Sequence, residues 1–575
     1  MIRTLRSKNQ SNSRLFLVFM VGLAIFLSQV LVCKKSEPSK VQITTDVNRD
    51  GKVEFRTDKQ GKNEWTPERG AIFLNNNDSD QDTNEPDYAD DVINGQEDIK
   101  DLSVIKIRQI HDLPEDSQVD ISVDEASMSR VRLFVKTAKN EYKNLTLSAK
   151  SNINPAQLRN GDLELRIEAN SYADSTWTGE TTVTLTVNRP DGETESDAIM
   201  LKVAPFILLS NLNKGSALYV REFPGRNDSF LESLRELLPA AGAELVVVPA
   251  GDPYPPHQIW LQDALEIGYS EIPGHKMNVV LKANRGRPLD DYAKQELMGP
   301  DFGWIQVGTF RKDYGGGRRS NGWLDWYGNL EVTPPLPGYP FGRFYCGYNP
   351  DGPEEASLNP EIISMLEAQK IQGPALRLDT GWLLIKHVDE VISFLPSGNP
   401  ERPYKVLVVD TGSMIALLEK WMEEGHGETQ MLGLSSKKMT IKALYENKEL
   451  MELNKSLQKA RIEPNIDLLK SELRLVEEDF IRVPILIDKY GTAVVPNMVN
   501  STILNGHILI VAPNGPEIDG KDQLEEEMRR LLSGLPLKLH FLDAILYHNW
   551  GGEVHCATNV RRDGFQTPWW TIKHP

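Results

Sequence analysis

Cysteine is nearly absent from this 575-residue sequence, which contains only Cys33, Cys346 and Cys556. Three cysteines exclude the disulfide framework that stabilises small secreted domains, so each needs its own explanation. Basic residues are also in deficit, with 64 Lys and Arg against 82 Asp and Glu and a formal net charge of −18. This balance argues against nucleic acid as the main partner and suits a protein that meets cationic groups or metal ions.

Long apolar runs are missing except near the N-terminus, where one spans Leu15–Cys33. The basic residues before it are Arg3, Arg6, Lys8 and Arg14. This pattern indicates a signal peptide or a membrane anchor. No Ala-x-Ala cleavage site follows, and Val32 is bulky for a lipoprotein site at Cys33, so cleavage, anchoring and lipidation stay open. We expect residues 1–40 to be a signal or anchor segment with a linker, and the protein to be exported, whether periplasmic, cell-surface or secreted.

The rest of the chain divides into two regions by its hydrophobic pattern. Residues 41–203 contain short alternating runs such as "SRVRLFVK" and "TTVTLTVN", separated by turn residues, which predict an antiparallel β-sandwich. From residue 204 onward, helical patterns alternate with strands. The segments "DSFLESLRELLPAAG", "NPEIISMLEAQKIQG" and "DQLEEEMRRLLSG" each precede a strand and a polar stretch. These three occurrences predict a repeated α/β unit.

Four chemically active side chains lie in the polar stretches of this second region. Asp263 lies in "WLQDALEIGY", His387 and Asp389 lie two residues apart in "KHVDEV", and Cys556 lies in "GGEVHCATNVRR". Each has an ordinary structural interpretation, as a turn residue, a satisfied histidine or a solvated acid. Together they match the chemistry of a guanidinium, which is planar, permanently charged and carries five N–H donors. A thiolate would attack its carbon, two carboxylates would bind its nitrogens, and an acid would protonate departing ammonia.

Seven motifs make the chain resemble a known family over residues 41–575. They are "WLQDALEIGY", "MGPDFG", "YGNLEVTPP", "HVDE", "EGHGE", "VPNMVN" and "GEVHCATNVRR". The chain resembles the protein-arginine deiminases, calcium-dependent enzymes that convert peptidyl arginine to citrulline. The resemblance implies an immunoglobulin-like β-sandwich domain over 41–203 and a five-bladed α/β propeller (pentein) catalytic domain over 204–575. The vertebrate enzymes carry two immunoglobulin-like domains before the catalytic domain, and we expect this chain to have only the second.

The resemblance also implies a role for each residue of the site. Cys556 would be the nucleophile, Asp263 and Asp389 would bind the guanidinium, and His387 would be the general acid and later the base. Two further residues would bind substrate: Trp260 along the arginine side chain, and Arg287 at the substrate backbone.

Arg287 favours an arginine-containing protein or peptide as the substrate. Two alternatives stay open: a deiminase of free arginine or another small guanidine, and a calcium-binding surface protein whose catalytic domain is inactive. The sequence leaves the preferred substrates and the oligomeric state open.

Two acidic stretches of the first region are candidates for calcium binding. The stretch from Asn76 to Asp101 contains ten acids and a single lysine, and "DVNRDGKVE" ends too early for an EF-hand loop. A solvated acidic loop is the alternative interpretation. The resemblance implies Ca²⁺ ligands in both stretches. Their side-chain oxygens are the kind of ligand that Ca²⁺ prefers. The candidates are Asp46, Asn48, Asp50, Glu54, Asn76, Asp78, Asp80, Asp87, Asp90, Asp98 and Asp101, with Asp301 from the catalytic domain.

A further calcium site is implied beneath the catalytic residues. Its ligands would be the side chains of Gln262, Glu266 and Glu331 and the main-chain oxygens of Tyr327 and Leu330. A second family site should be absent, because its positions are occupied here by Ala264, Lys282, Ala283 and Gly286. We therefore expect one calcium ion in the catalytic domain.

Overall fold

The architecture is described from a computed structural model. The structure describes residues 41–80, 85–93, 95–137, 139–145, 151–311, 321–352, 356–432 and 439–572. The apolar segment Leu15–Cys33 lies outside these residues.

The predicted export and membrane association are corrected at this point. In the part of the chain that the structure describes, none of the helices combines the length and the apolar character needed to cross a bilayer. The prediction rested on the N-terminal segment alone, and none of the structural features or sequence comparisons shows export. That prediction is contradicted and is withdrawn.

The first region forms two five-stranded sheets. Its strands are β1 (Ile43–Thr45), β2 (Ala71–Phe73), β3 (Ser103–Ile107), β4 (Gln118–Val123), β5 (Val131–Lys136), β6 (Tyr142–Leu145), β7 (Ser151–Ile153), β8 (Leu163–Ala169), β9 (Glu180–Asn188) and β10 (Thr194–Val203). The sheet orders are β1-β3-β8-β5-β6 and β2-β10-β9-β4-β7. Neighbouring strands are antiparallel except β2 and β10. Two short helices connect them, α1 (Gln96–Asp101) and α2 (Pro155–Asn160).

Both sheets contribute to one apolar core, which explains the alternating sequence of the strands. In β9, buried Val183, Leu185 and Val187 alternate with half-buried threonines, as expected when successive side chains point to opposite faces. Leu133 and Leu165 of the other sheet belong to the same core. The region is thus two β-layers packed face to face.

The second region contains eighteen strands. They are β11 (Ile207–Leu208), β12 (Gly215–Arg221), β13 (Glu244–Val248), β14 (Leu265–Ile272), β15 (His275–Lys282), β16 (Phe302–Gln306), β17 (Leu330–Val332), β18 (Phe344–Tyr348), β19 (Leu376–Asp379), β20 (Ile392–Asn399), β21 (Arg402–Asp410), β22 (Phe480–Pro484), β23 (Thr502–Leu504), β24 (His507–Val511), β25 (Glu517–Ile518), β26 (Lys521–Asp522), β27 (Lys538–Leu542) and β28 (Thr558–Arg562). This count covers the described residues only.

Five small sheets of this region share one pairing scheme. In each, two strands pair antiparallel and the second of them pairs parallel with a third. The triplets are β14/β15/β16, β17/β18/β19, β20/β21/β22, β23/β24/β27 and β28/β12/β13. Because β28 near the C-terminus pairs with β12, the two ends of the region meet in one sheet.

The helices of this region are α3 (Asp228–Ala241), α4 (Pro360–Ala368), α5 (Thr411–Glu423), α6 (Ile441–Tyr445), α7 (Lys448–Leu457), α8 (Glu463–Leu473), α9 (Gln523–Leu531), α10 (Ile545–Asn549) and α11 (Val554–Ala557). All three helices predicted from the repeat are present, as α3, α4 and α9. Each leads into the third strand of its sheet, β13, β19 and β27, by the parallel connection that a crossover helix allows.

Candidate active site

The repeated unit explains why residues far apart in sequence meet at one place. In each triplet, one residue of the site lies two or three positions before the first strand. These residues are Asp263 before β14, Gly328 before β17, Asp389 before β20, Asn500 before β23 and Cys556 before β28. Since the five sheets are built alike, these loops occupy equivalent positions, and the contacts below show that they converge.

The predicted catalytic groups surround the backbone of Gly328. A methyl group placed on Gly328 would lie 2.5 Å from His387 Nδ1, 3.0 Å from Asp263 Oδ1 and 3.1 Å from Asp389 Oδ2. Cys556 Sγ lies 3.4 Å from Asp389 Oδ2. The structure therefore brings all four predicted catalytic residues around one small space.

Three polar atoms at this space are buried and lack a hydrogen-bond partner among the described residues. They are Asp263 Oδ1, Asp389 Oδ1 and His387 Nδ1. A buried acceptor without a donor is costly unless a ligand supplies one. A guanidinium offers five donors in one plane. The donors that these atoms lack are those that an arginine side chain would bring.

The imidazole of His387 has a defined orientation. Its Nε2 lies 2.8 Å from the carbonyl oxygen of Trp323. A carbonyl only accepts, so Nε2 carries the hydrogen and donates it. Nδ1 is then the atom that gains or loses a proton, and it lies 3.4 Å from Asp263 Oδ1. This geometry suits a proton donor and acceptor that faces the space above Gly328.

Asn500 makes three contacts with Cys556 and the residue before it, and was not identified from the sequence. Its carbonyl oxygen accepts from His555 N at 3.2 Å, and its Oδ1 accepts from Cys556 N at 3.2 Å. The amide is thereby oriented so that Nδ2 donates to Cys556 Sγ at 3.2 Å. The signal was present in the "VPNMVN" motif, but only the repeated loop position shows that Asn500 belongs to the site.

The resting site disfavours a thiolate. Burial raises the pKa of Cys556 well above its ordinary value, and Asp389, Asp263 and Glu390 raise it further. Burial also raises the pKa of Asp263, although His387 and Arg285 oppose this effect. A bound cation would reverse both trends, because an opposite charge favours the ionised form of each group.

Trp260 lies against the nucleophile loop. A methyl group on Gly552 would lie 2.7 Å from the Trp260 ring and 3.2 Å from Cys556 Cβ. The indole also lies 5.8 Å from the ring of Tyr547. Trp260, which was predicted to lie along the substrate arginine, thus lies beside the loop that carries Cys556.

Arg287 and Arg285 both lie over the ring of Trp326. The Arg287 guanidinium lies over the Trp326 ring, 4.5 Å from its centre, and Trp326 lies 6.0 Å from the His387 ring. Arg285 was not identified from the sequence. Its Nε donates to Asp290 at 2.6 Å, and its Nη1 lies 3.9 Å from Asp263 Oδ2.

Three of the five predicted calcium ligands of the second region, Gln262, Glu266 and Glu331, line a cavity of about 20 Å³. Gln262 Nε2 donates to Glu266 Oε2 at 2.8 Å and to the Tyr327 carbonyl at 3.2 Å. Burial raises the pKa of Glu331 to about 7, and burial together with Glu331 raises that of Glu266. Leu330 precedes Glu331 at the start of β17. Two buried acids beside an amide and a carbonyl form an oxygen-rich set that suits Ca²⁺.

Lys282 stands at one of the positions of the second family calcium site, which we predicted to be absent, and its ammonium forms an ion pair. Its Nζ donates to Asp291 Oδ1 at 2.6 Å, and its carbonyl accepts from Tyr327 OH at 2.9 Å. The ammonium is therefore part of an ion pair between β15 and the turn Pro288–Asp291.

Acidic side chains of the first region form three overlapping clusters, one of which includes two residues of the second region. The groups whose ligand atoms lie within 4.8 Å of one another are Asp78, Asp80 and Asp101; Asp80, Asp87 and Asp98; and Asp101, His275 and Asp301. Burial raises the pKa of Asp78 to about 9 and that of Asp80 and Asp87 to about 7. The clustered acids would gain charge compensation from bound cations.

Two residues were not identified from the sequence: His275, which belongs to one cluster, and Glu168, which lies beside Asn76. His275 lies 2.6 Å from Asp101 Oδ1. Glu168 is buried and accepts from Asn76 Nδ2 at 2.8 Å, and burial raises its pKa to about 8. Both come from strands without acidic runs, so no spacing pattern marked them.

The remaining predicted ligands are not gathered in the same way. The carboxylate of Asp46 accepts from Asp50 N at 3.1 Å and from Gly51 N at 2.9 Å, and Asn48 donates to Asp50 at 2.9 Å. No group of three His, Cys, Asp or Glu ligand atoms includes Asp46, Asp50 or Glu54 in the described part of the chain. Asp90 Oδ1 accepts from Val92 N at 2.8 Å outside the three clusters.

Sequence comparisons connect both regions to known proteins. The family model described as protein-arginine deiminase matches residues 193–571, and that of the protein-arginine deiminase middle domain matches residues 40–188. The chain is 32% identical over 555 residues to protein-arginine deiminase type-1 of Mus musculus, covering 92% of this chain and 82% of the relative. It is 31% identical over 563 residues to the type-4 enzyme of Homo sapiens, covering 93% and 83%.

Among solved structures, the agmatine deiminase of C. jejuni is 12% identical with a TM-score of 0.34, covering 63% of this chain and 97% of that chain. The family matches confirm the prediction made from the sequence motifs, including its class of hydrolases that act on carbon–nitrogen bonds. The chain belongs to the protein-arginine deiminase family.

Proposed function

We propose that this chain hydrolyses peptidyl arginine to peptidyl citrulline and ammonia in a calcium-dependent reaction, with Cys556 as the nucleophile. Family membership confirms the predicted class of reaction. The residue roles rest on one observation, the convergence of Cys556, His387, Asp263 and Asp389 around Gly328. An arginine whose guanidinium lies above Gly328 would satisfy the three buried atoms that lack partners in the described residues.

The proposed reaction has two halves. The thiol of Cys556 gives up its proton to His387 Nδ1, and its Sγ attacks the guanidinium carbon to form a tetrahedral adduct. One carbon–nitrogen bond breaks as the leaving nitrogen takes a proton from His387 Nδ1, which releases ammonia and leaves a covalent thiouronium. Water then loses a proton to His387, and its oxygen bonds to the carbon. The carbon–sulfur bond breaks as the hydroxyl proton passes to Sγ, which gives citrulline and the free thiol.

The substrate cation assists the first half. In this buried site Asp389 and Asp263 raise the pKa of Cys556, and Asp389 raises that of Asp263. The guanidinium supplies a positive charge that favours the ionised forms of Cys556 and Asp263. Asn500 Nδ2 remains on the sulfur at 3.2 Å and stabilises the thiolate by a charge-assisted hydrogen bond.

We assign Ca²⁺ as the cofactor on the chemistry of two donor sets. In the catalytic domain Gln262, Glu266, Glu331 and the carbonyls of Tyr327 and Leu330 would hold it, and Ca²⁺ there would compensate the adjacent charges of Glu266 and Glu331. Gln262 directly precedes Asp263 in the chain. A proposed calcium ligand and a carboxylate that would bind the guanidinium therefore lie in the same segment. In the first region the three acid clusters would hold further Ca²⁺. Asp46, Asn48, Asp50, Glu54 and Asp90 remain predicted ligands.

The domain architecture is part of the proposal. Residues 41–203 would form an immunoglobulin-like domain, and residues 204–575 the five-bladed propeller. The five equivalent triplets, each with one loop at the site, support the second assignment. In this arrangement the catalytic loops lie at the propeller axis.

An assay of citrulline and ammonia release tests the proposal. A blocked arginine peptide and free arginine are compared, each with calcium and with a chelator. We expect calcium-dependent conversion of the peptide. Activity confined to free arginine would establish the small-guanidine alternative, and calcium binding without any turnover would establish the inactive surface protein. A Cys556→Ala variant that released ammonia at the full rate would refute the nucleophile assignment.

A further inference from the structure

A second small cavity lies directly behind the nucleophile loop. Its volume is about 30 Å³. Asn500, which touches Cys556 Sγ at 3.2 Å, forms part of its wall. Gly552, whose methyl substituent would lie 3.2 Å from Cys556 Cβ, forms another part. A molecule in this cavity would be separated from the reacting sulfur by one layer of atoms.

Acidic groups line this cavity. Glu553 is 4% exposed. Its Oε1 accepts from His548 Nδ1 at 2.8 Å and from Asn497 N at 2.9 Å. Its Oε2 is buried and has no hydrogen-bond partner among the residues that the structure describes. Glu390 also lines the cavity, and its Oε1 accepts from the backbone N–H of His387 at 3.2 Å.

We propose that this cavity is a binding site for the ammonium ion that the reaction produces. The inference rests on the proposed function, which supplies the ammonia. The volume exceeds the roughly 10–15 Å³ that one water-sized species requires. Ammonium has that size, carries one positive charge and offers four N–H donors. Glu553 Oε2 and the Glu390 carboxylate are complementary to it in charge and in hydrogen bonding.

The proton balance is consistent with this assignment. Ammonia leaves the tetrahedral adduct neutral, having taken its proton from His387. It becomes ammonium by taking one more proton from a carboxylic acid, which becomes a carboxylate. Burial raises the pKa of Glu553, opposed by its bonds to His548 and Asn497, and burial and Asp389 raise that of Glu390. The positive charge of ammonium and the negative charge of the carboxylate therefore form in the same proton transfer, and the buried cavity holds no isolated charge.

Such a site would also make the reaction effectively directional. Ammonia that stays beside the thiouronium could attack its carbon, expel the sulfur and regenerate arginine. Holding the nitrogen as ammonium behind Asn500 removes its lone pair from that reaction. Water can then approach the thiouronium without competition.

The test is inhibition of the full-length, calcium-loaded protein by ammonium chloride during turnover of an arginine peptide. Tetramethylammonium chloride at equal ionic strength carries the charge but no N–H donor. We expect ammonium to inhibit without competing with the peptide, because it binds outside the arginine site. In Glu553→Gln, Oε1 can still accept from Asn497 and His548, while an NH₂ group replaces Oε2. The inhibition constant for ammonium should rise at least about tenfold, the loss of one charge-assisted hydrogen bond.

Glu271→Gln is the matched control. Glu271 is buried, and its Oε2 also lacks a hydrogen-bond partner in the described part of the chain, but it does not line the cavity. Its ammonium inhibition should equal that of the unmodified protein. Unchanged inhibition in Glu553→Gln, competition with the peptide, or inhibition no stronger than by tetramethylammonium would each overturn the proposal.

A binding measurement separates this proposal from the proposed function. With ¹⁵N-ammonium, we expect a proton resonance protected from solvent exchange in the unmodified protein and absent from Glu553→Gln. This measurement needs no turnover. Failure to form citrulline would refute the proposed function, and the resonance would still show whether the cavity binds ammonium. If Glu553→Gln fails to fold, the protected ammonium resonance can still be measured in the unmodified protein. Absence of the protected resonance, with water alone in the cavity, would refute the ammonium site.

Discussion

His555 connects Asp389 to Glu331. Its Nδ1 lies 3.0 Å from Asp389 Oδ2, and its Nε2 lies 3.4 Å from Glu331 Oε1. One imidazole therefore contacts both a proposed guanidinium ligand and a proposed calcium ligand. Metal binding at Glu331 and substrate binding at Asp389 are separated by a single side chain, which offers a direct route for calcium to act on the catalytic centre.

Substitution of His555 should weaken this coupling. We expect His555→Gln to raise the calcium concentration for half-maximal activity roughly 10- to 100-fold, the usual cost of losing a partner of a metal ligand. Glu331→Ala should abolish calcium activation, because it removes one of two carboxylates. Calcium titrations of citrulline formation measure both effects. His540→Gln is the control, since His540 pairs with His507 on strands away from the site. Unchanged calcium dependence of His555→Gln would refute the coupling.

Gly328→Ala should block the arginine site without unfolding the protein. The new methyl group would occupy the space between His387, Asp263 and Asp389. We expect kcat/KM for the peptide to fall at least about 100-fold, as for a substrate displaced by roughly one ångström, with little change in Tm. Gly161→Ala, where an added methyl group meets no atom within 4 Å, is the matched control. Near-normal activity of Gly328→Ala would place the guanidinium elsewhere.

The reactivity of Cys556 should depend on pH in a defined direction. Because burial and three carboxylates raise its pKa, the neutral thiol dominates near pH 7 without substrate, and alkylation by iodoacetamide should accelerate as pH rises. Asn500→Ala removes a donor to the thiolate and should move this profile upward by about one to two pH units. Mass spectrometry of the alkylated peptides measures both.

Cys346 is an internal reference for that experiment. It is buried in β18, and burial raises its pKa to about 12. Calcium should increase alkylation of Cys556 selectively and leave Cys346 unaffected. Equal alkylation of Cys556 with and without calcium would contradict assembly of the site around the metal. An unchanged profile in Asn500→Ala would contradict the role of its amide.

The catalytic domain should bind a single calcium ion. The positions of a second site carry Ala264, Lys282, Ala283 and Gly286, and the Lys282 ammonium is paired with Asp291. A cation there would meet a positive charge and no oxygen side chain from these positions. A crystal structure grown with calcium checks this prediction, and a second ion beside Ala264 and Lys282 would refute it.

Much of the molecule was determined by local sequence. The alternation in β9 and the apolar faces of α3, α4 and α9 follow from burying one face of a strand or helix, so the two regions and the repeat could be predicted. The four proposed catalytic residues could be predicted because their motifs are specific and their chemistry is complementary to a guanidinium.

Tertiary structure alone decided the rest. Asn500, Arg285, His555 and Glu168 act through contacts with residues that lie from 22 to 224 positions away in the chain. Such contacts depend on how five separate sheets bring their loops together, and the spacing of residues along the sequence does not predict that arrangement. The cavity behind Cys556 is the same kind of feature. Glu553 is only three residues from the nucleophile, but its role follows from which atoms remain buried without a partner in the described residues.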